Sequence, residues 1–94
     1  MTYIDEISGR VRDALPAQAR PNDDAEALYR LYALLALTTG TATTLENVHD
    51  AWSVWMSTQE PSHESLIPFA SLDPATRAED QPYVDAICQV AHQL

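Results

Sequence analysis

Apolar side chains recur along this chain at intervals of three and four residues, the spacing that places them on one face of an α-helix. The alternating apolar and polar runs of a half-buried strand are missing. The chain has only two glycines, so few positions favour the tight turns of hairpins. The pattern therefore predicts an all-α fold, a compact single-domain bundle of four to five helices over residues 1–94.

The first predicted helix runs from about Tyr3 to Leu15. Thr2 is its expected cap, and Asp5 stands three residues later, where a capping box places its second member. Pro16 is expected to end the helix, because the residue before a proline disfavours helical backbone angles. The apolar stripe of this helix consists of Ile4, Ile7, Val11 and Leu15.

A linker of residues 16–22 leads to the second helix, which Asn22 or Asp23 is expected to cap. Gly40 can supply the left-handed residue that follows a helix end. Apolar residues surround more than half of this helix, so we expect it to be the central and most buried element. Its stripe contains Ala25, Leu28, Leu31, Tyr32 and Leu35, widened by Leu34 and Leu37.

Thr43 and Glu46 have the spacing of a capping box, which predicts a third helix from about Leu45 to Ser57. If Trp52 is buried in this helix, Trp52→Ala should cost roughly 3–5 kcal/mol. The expected inward face contains Leu45, Val48, Trp52 and either Trp55 or Met56.

The polar residues 57–65 form a predicted loop before Leu66-Ile67-Pro68-Phe69. The proline removes one backbone donor from this apolar segment, so we expect it to be extended and packed on the helices.

Asp73 followed by Pro74 is typical of a helix start and predicts a short helix to about Glu79. Asp80 is the expected cap of a last helix over residues 81–92, with the stripe Val84, Ile87, Ala91 and Leu94 flanked by Tyr83 and Val90. Across all helices the predicted core contains Leu28, Leu31, Leu35, Val48, Trp52, Leu66, Phe69 and Ile87.

The charge balance restricts the partners of this domain. Fourteen acidic residues oppose five basic ones, all of them arginine, for a formal net charge of -9. Such a surface repels phosphate, so nucleic-acid binding and docking on anionic membranes are disfavoured. The ordinary explanation of the charge is solubility, and the alternative is an acidic face that docks on a basic protein.

The chain also lacks the features of export. The single cysteine rules out an internal disulfide, and no apolar run approaches the ~20 residues that span a bilayer. No basic region precedes an apolar stretch at the N-terminus. These observations predict a cytoplasmic protein.

The sequence contains no recognisable catalytic motif. No serine lies in a Gly-x-Ser-x-Gly motif, and Cys88 is expected to be a small core residue of the last helix. The carboxylates at residues 23–26 and 79–80 are explained by helix starts. We therefore predict a protein that is not an enzyme and carries no cofactor.

A metal site is not predicted either. The possible ligands lack a His-x-x-x-His or Cys-x-x-Cys spacing, and His49 and Asp50 are neighbours that point about 100° apart on a helix. These possible ligands are His49, Asp50, His63, Glu64 and His92.

Residues 45–52, Leu-Glu-Asn-Val-His-Asp-Ala-Trp, resemble the Asn-x-His-Asp-x-Trp stretch of the ryanodine-receptor (RyR) repeat. Residues 63–72 resemble the His-Pro-x-Leu-Val-Pro-Tyr-x-x-Leu segment of that repeat, so the likeness covers about residues 45–92. The chain as a whole resembles small proteins of actinobacteria and their phages that have no established activity. The RyR repeat implies a helical binding module, and its bacterial versions imply a nucleotide-like ligand.

Trp52 and Trp55 are three residues apart, so they occupy neighbouring parts of one helix face. One is expected in the core, and the other can anchor an interface. The helix and the segment after it predict a binding surface formed by His49, Asp50, Trp55 and His63. The alternative is that His49 only holds a loop carbonyl.

These observations lead to hypotheses of decreasing weight. The first is a protein-interaction module, either self-associating or docking a basic partner. The second is a sensor or sponge for a small nucleotide-like ligand. The third is an acidic mimic of DNA that inhibits a DNA-binding protein.

Overall fold

The computed structural model describes residues 2–21 and 25–94, and the predicted caps Asn22 and Asp23 lie outside these ranges. Within them the chain forms five α-helices and no strand, so the all-α prediction is confirmed. The helices are α1 (Tyr3–Ala14), α2 (Glu26–Thr38), α3 (Leu45–Gln59), α4 (Pro74–Ala78) and α5 (Gln81–Gln93), with short 3-10 turns at Ala17–Ala19, Gly40–Ala42 and Phe69–Ser71.

The start of α1 is the predicted capping box. The hydroxyl of Thr2 accepts the amide of Asp5 at 3.4 Å, and the Asp5 carboxylate accepts the amide of Thr2 at 3.1 Å. The helix ends at Ala14, and Leu15 already has an extended ψ of 141° before Pro16.

The capping box of α3 lies one residue later than predicted. The Thr44 hydroxyl accepts the amide of Asn47 at 3.1 Å, and the Asn47 side chain accepts the amide of Thr44 at 2.9 Å. Thr43 is instead buried, and its hydroxyl donates to the carbonyl of Gly40 at 2.7 Å. Thr43 therefore closes the turn before α3, which leaves Thr44 to cap the helix.

That turn contains the predicted left-handed glycine. Gly40 follows the C-terminal end of α2 and has a φ of 57°. A glycine adopts this conformation without the steric penalty that a Cβ imposes.

The predicted start of α4 is confirmed, because the Asp73 carboxylate accepts the amide of Thr76 at 2.8 Å and Pro74 occupies the first turn. Asp80 does stand immediately before α5, but its side chain makes no capping hydrogen bond. Its backbone carbonyl accepts the amides of Tyr83 and Val84 instead, each at 3.1 Å.

Helix α2 packs against α1, α3 and α5, which confirms its central position. Its buried face keeps Ala25, Leu28 and Tyr32 of the predicted stripe. It is rotated away from Leu34 and Leu37, which were expected to widen the stripe and are 51% and 42% exposed. Small alanines on the buried face allow neighbouring helices to approach closely. The buried residues on and beside α2 are Ala25, Leu28, Tyr29, Tyr32, Ala33 and Ala36.

The predicted core is only partly correct. Leu28, Val48 and Ile87 are buried in the central cluster, whereas Leu35 and Trp52 are partly buried at its margin. Leu31, Leu66 and Phe69 are partly buried outside that cluster.

The partners of these last side chains explain their position. Leu31 faces a surface groove beside Ile4 and Leu34. Phe69 packs against the His49 ring, and the Arg77 guanidinium lies 5.2 Å from the centre of the Phe69 ring.

Helix α5 contributes Val84, Ala86, Ile87 and Val90 to the core. The predicted stripe continues to Leu94, but this residue follows the end of the helix and is 56% exposed. Cys88 is partly buried rather than in the core, with its thiol directed at the carbonyls of Thr41 and Thr43.

In the Leu-Ile-Pro-Phe segment Ile67 lies at a bend, Pro68 has an extended ψ of 145°, and Phe69 begins a 3-10 turn, so the segment is not extended throughout as predicted. It contacts α3 as predicted, through the hydrogen bond between His49 and Ile67. None of the helices in the two described ranges is long and apolar enough to cross a membrane.

Candidate functional site

A cleft of about 470 Å³ opens where several elements converge. One wall comes from α2 and α3, and the other comes from residues 18–21, the loop around residues 63–65 and the junction of α4 with α5. Its volume falls within the range of small-molecule sites, about 300–1,000 Å³. The side chains that give the cleft its chemistry are His49, Trp52, Trp55, His63, Asp80 and Tyr83.

His49 is buried at the inner side of α3, with 3% of its surface exposed. Its Nε2 lies 2.7 Å from the carbonyl oxygen of Ile67. A carbonyl oxygen only accepts hydrogen bonds, so Nε2 carries the hydrogen. The expected loop contact is therefore confirmed, and in the neutral ring Nδ1 is left as an acceptor.

The same contact bears on catalysis. Ser53 Oγ lies 3.5 Å from His49 Nε2, a pair that nucleophilic catalysis could use. The base of such a pair must accept the serine proton, but Nε2 already donates to Ile67. Ser53 and His49 are thus not arranged as an activated serine.

His63 lines the cleft beside α3. Its Nδ1 accepts the amide of Ser65 at 3.0 Å, which places the ring hydrogen on Nε2. The ring meets Trp52 edge-on with centroids 5.1 Å apart, while the His49 ring stacks on Trp52 at 5.7 Å. Trp52 is consequently held between two imidazoles at the wall of the cleft rather than in the core.

Trp55 stands one turn further along α3 and separates the cleft from a groove on the outer side of the bundle. Its indole Nε1 is buried without a hydrogen-bond partner in the described parts of the chain. A buried donor of this kind is costly unless a ligand or a water molecule satisfies it.

Tyr83 fixes the opposite wall. Its hydroxyl donates to the carbonyl of Ala19 at 2.6 Å, which ties the segment after α1 to α5. Its ring contacts Tyr32 with centroids 5.7 Å apart. Burial raises the pKa of both tyrosines, so each hydroxyl stays protonated at neutral pH.

Asp80 supplies a partly buried carboxylate to the lining of the cleft. Burial raises the pKa of the Asp80 carboxyl; His49 lowers it, and Glu79 raises it further. No group in residues 2–21 or 25–94 donates a hydrogen bond to this carboxylate. A shifted pKa inside a cleft is a mark of functional sites.

The predicted surface is brought together in part. His49, Trp55 and His63 line the cleft, whereas Asp50 is exposed and lies beside a separate depression with Leu66 and Pro68. Adjacent positions on a helix point in different directions, so Asp50 turns away when His49 turns inward.

Sequence reasoning missed the roles of other residues. The sequence predicts Asp80 as a helix cap, Trp52 as core and Tyr83 as a flank of the α5 stripe, whereas all three line the cleft. The one available signal was the position of Trp52 three residues after His49, on the same side of α3.

The cleft does not resemble a metal centre. In the described ranges, no three or more His, Cys, Asp or Glu side chains converge closely enough to hold an ion. Its polar groups include the Asp80 carboxylate, to which no described residue donates, the imidazole donor of His63 and the indole donor of Trp55. Such groups can orient a small organic molecule.

The fold and this cleft define a class of protein: a small all-α domain with a cleft that is lined by aromatic side chains and is large enough for a small ligand. The chain matches the family model described as "Domain of unknown function (DUF7701)" over residues 2–92, and it belongs to that family. No curated protein and no solved structure matches the chain.

Proposed function

We propose that the domain is a binding module whose ligand is a small organic molecule held in the cleft. The observation that carries this proposal is the convergence of aromatic and polar side chains from α3, α5 and the intervening loop around about 470 Å³. The proposal involves no reaction, because no nucleophile faces a free base among the described residues.

The resemblance of residues 45–92 to the RyR repeat supports a binding role, and it makes a nucleotide-like ligand one class to test. The likeness to proteins of actinobacteria and their phages is compatible with a sensor or sponge. Neither resemblance identifies the ligand.

A fragment screen tests the proposal. Amide and indole resonances of the ¹⁵N-labelled protein are followed during additions of a library that includes nucleotides, amines and carboxylates. We expect hits that shift the Trp52 and Trp55 indole signals together with the Ser65 amide. A library that yields no hit, or hits confined to other surfaces, would contradict the proposal.

A matched pair of variants locates the hits. Ser65 lines the cleft and its side chain makes no hydrogen bond within residues 2–21 and 25–94, so Ser65→Phe should obstruct the site. Ser62 is exposed in the same loop and does not line the cleft, so Ser62→Phe adds the same bulk elsewhere. We expect ligand shifts to vanish only in Ser65→Phe.

Protein association is a second candidate function, supported by an apolar groove of about 450 Å³ between α1, α2 and α3. Leu34 and Val54 line it and are 51% and 59% exposed. Contiguous exposed apolar surface is a mark of interaction sites. Light scattering after size exclusion tests self-association: a monomer at every concentration excludes it, and Leu34→Asp should dissociate any dimer formed there.

A further inference from the structure

The carboxylate of Asp80 has no structural task in the described chain. The Asp80 carbonyl, not its side chain, accepts the first amides of α5. The carboxylate is partly buried, and none of the described arginines forms an ion pair with it. Withdrawing a charge from water without a partner is unfavourable, so this position suits a ligand that supplies the partner.

The charge around the cleft selects the sign of that partner. Glu79 adds a second carboxylate to the lining, and the basic side chains that line the cleft in the described ranges are Arg20, His49 and His63. His49 Nε2 donates to the carbonyl of Ile67, and neither histidine makes a hydrogen bond to Asp80 in the described ranges. Arg20 Nε donates to the carbonyl of Arg12 at 3.1 Å, which holds the guanidinium toward the end of α1. With a formal net charge of -9 for the whole chain, the field at the cleft favours a cation.

The aromatic walls select the shape of the partner. The indoles of Trp52 and Trp55 line the cleft on the α3 side. Indole faces attract cations and stack against flat rings, and both interactions strengthen when water is excluded. A ligand that is flat as well as positively charged can make both interactions.

We propose that the cleft binds a flat organic cation, with a protonated nitrogen group such as an amidinium at Asp80 and its ring against Trp55. This inference rests on the proposed function and names the chemical class of its ligand. A carboxylate and an amidinium can form parallel charge-assisted hydrogen bonds, which fix the orientation of the ring.

Three probes of nearly equal shape test the charge requirement: benzamidine is a cation, benzamide is neutral and benzoate is an anion. Each is titrated into the ¹⁵N-labelled protein while the indole signals of Trp52 and Trp55 are followed. A charge-assisted hydrogen bond contributes about 1.5–3 kcal/mol, so benzamidine should bind at least about tenfold more tightly than benzamide. Benzoate should bind more weakly than either.

Asp80→Asn removes the charge and keeps the shape. Asp85 lies on α5, is exposed and does not line the cleft, so Asp85→Asn removes an equal charge without touching the site. We expect benzamidine to lose about tenfold in affinity in Asp80→Asn only, with benzamide unaffected in both variants.

The outcomes separate the two proposals. Equal binding of benzamide or benzoate, or benzamidine binding that persists in Asp80→Asn, overturns the cation class while the cleft remains a binding site. If none of the three probes binds while library compounds do bind in the cleft, the cation class is also overturned and the proposed binding function is not. A library without any cleft hit overturns both proposals.

Discussion

His49 Nε2 donates to the carbonyl oxygen of Ile67 across 2.7 Å, joining the middle of α3 to a segment eighteen residues later in the chain. Pro68 follows Ile67 and lacks an amide hydrogen, so this stretch has few backbone hydrogen bonds of its own. The buried imidazole therefore supplies a hydrogen bond that holds the segment against α3. It also connects α3 to residues that lie shortly after His63, which lines the cleft.

Removing this imidazole should loosen the segment. His49→Ala is expected to lower the free energy of unfolding by roughly 1–3 kcal/mol, because it deletes a buried hydrogen bond and leaves the ring's space unfilled. Urea denaturation measures the loss, and hydrogen exchange should accelerate at residues 66–72. His92 is exposed near the end of α5, and His92→Ala should change stability by less than about 0.5 kcal/mol. Equal stabilities of the two variants would contradict this account.

The rotated face of α2 is tested by two leucines on that helix. Leu28 is 2% exposed and Leu34 is 51% exposed. Leu28→Ala should cost about 2–5 kcal/mol, since it leaves a cavity in the core. Leu34→Ala should cost about 0.5 kcal/mol or less. A comparable loss in the two denaturation midpoints would show that α2 faces the core as the leucine stripe predicts.

The helices were predictable from local signals, because proline and capping side chains act within one turn. The cap of α3 shows the limit of such signals. Thr43 and Thr44 both have cap-forming hydroxyls, and the choice depends on which one closes the turn at Gly40. Tertiary packing therefore decides which threonine caps α3, because that packing buries Thr43.

The cleft was predictable only in part, for a related reason. His49 and Trp55 belong to one helix face, so their spacing in the chain indicates that they are neighbours. Asp80 and Tyr83 join them from the other end of the chain, through contacts of α5 with α2 and α3. A single sequence carries no periodic signal for such long-range contacts, so the local pattern around Asp80 predicts only a helix cap.

Asp80 should reduce stability at neutral pH. Its pKa is raised by burial, so the folded state binds its proton more tightly than the unfolded state does. The stabilising contribution of the protonated form is full below the unfolded pKa and is lost as pH rises through the folded pKa. Asp80→Asn should therefore be more stable than the natural chain at pH 7, with a gain that shrinks as pH falls toward 4.

Asp73 provides a control of opposite sign. The amide of Thr76 lowers the pKa of the Asp73 carboxyl, so its contribution is present above the unfolded pKa and is lost as pH falls through the folded pKa. Asp73→Ala should destabilise the protein at pH 7 and matter less in acid. Urea midpoints from pH 3 to 8 measure both variants, and a destabilised Asp80→Asn at pH 7 would contradict the assignment.

The two glycines of the chain should respond oppositely to alanine. Gly9 lies inside α1, and a Cβ added there meets no atom within 4 Å. Gly9→Ala should stabilise the protein by roughly 0.5–1 kcal/mol, because alanine loses less backbone entropy in a helix. Gly40 also has open space around it, but its φ of 57° is strained for any residue with a Cβ. Gly40→Ala should therefore destabilise by about 1–2 kcal/mol, and denaturation curves that shift in the same direction for both variants would refute the left-handed turn after α2.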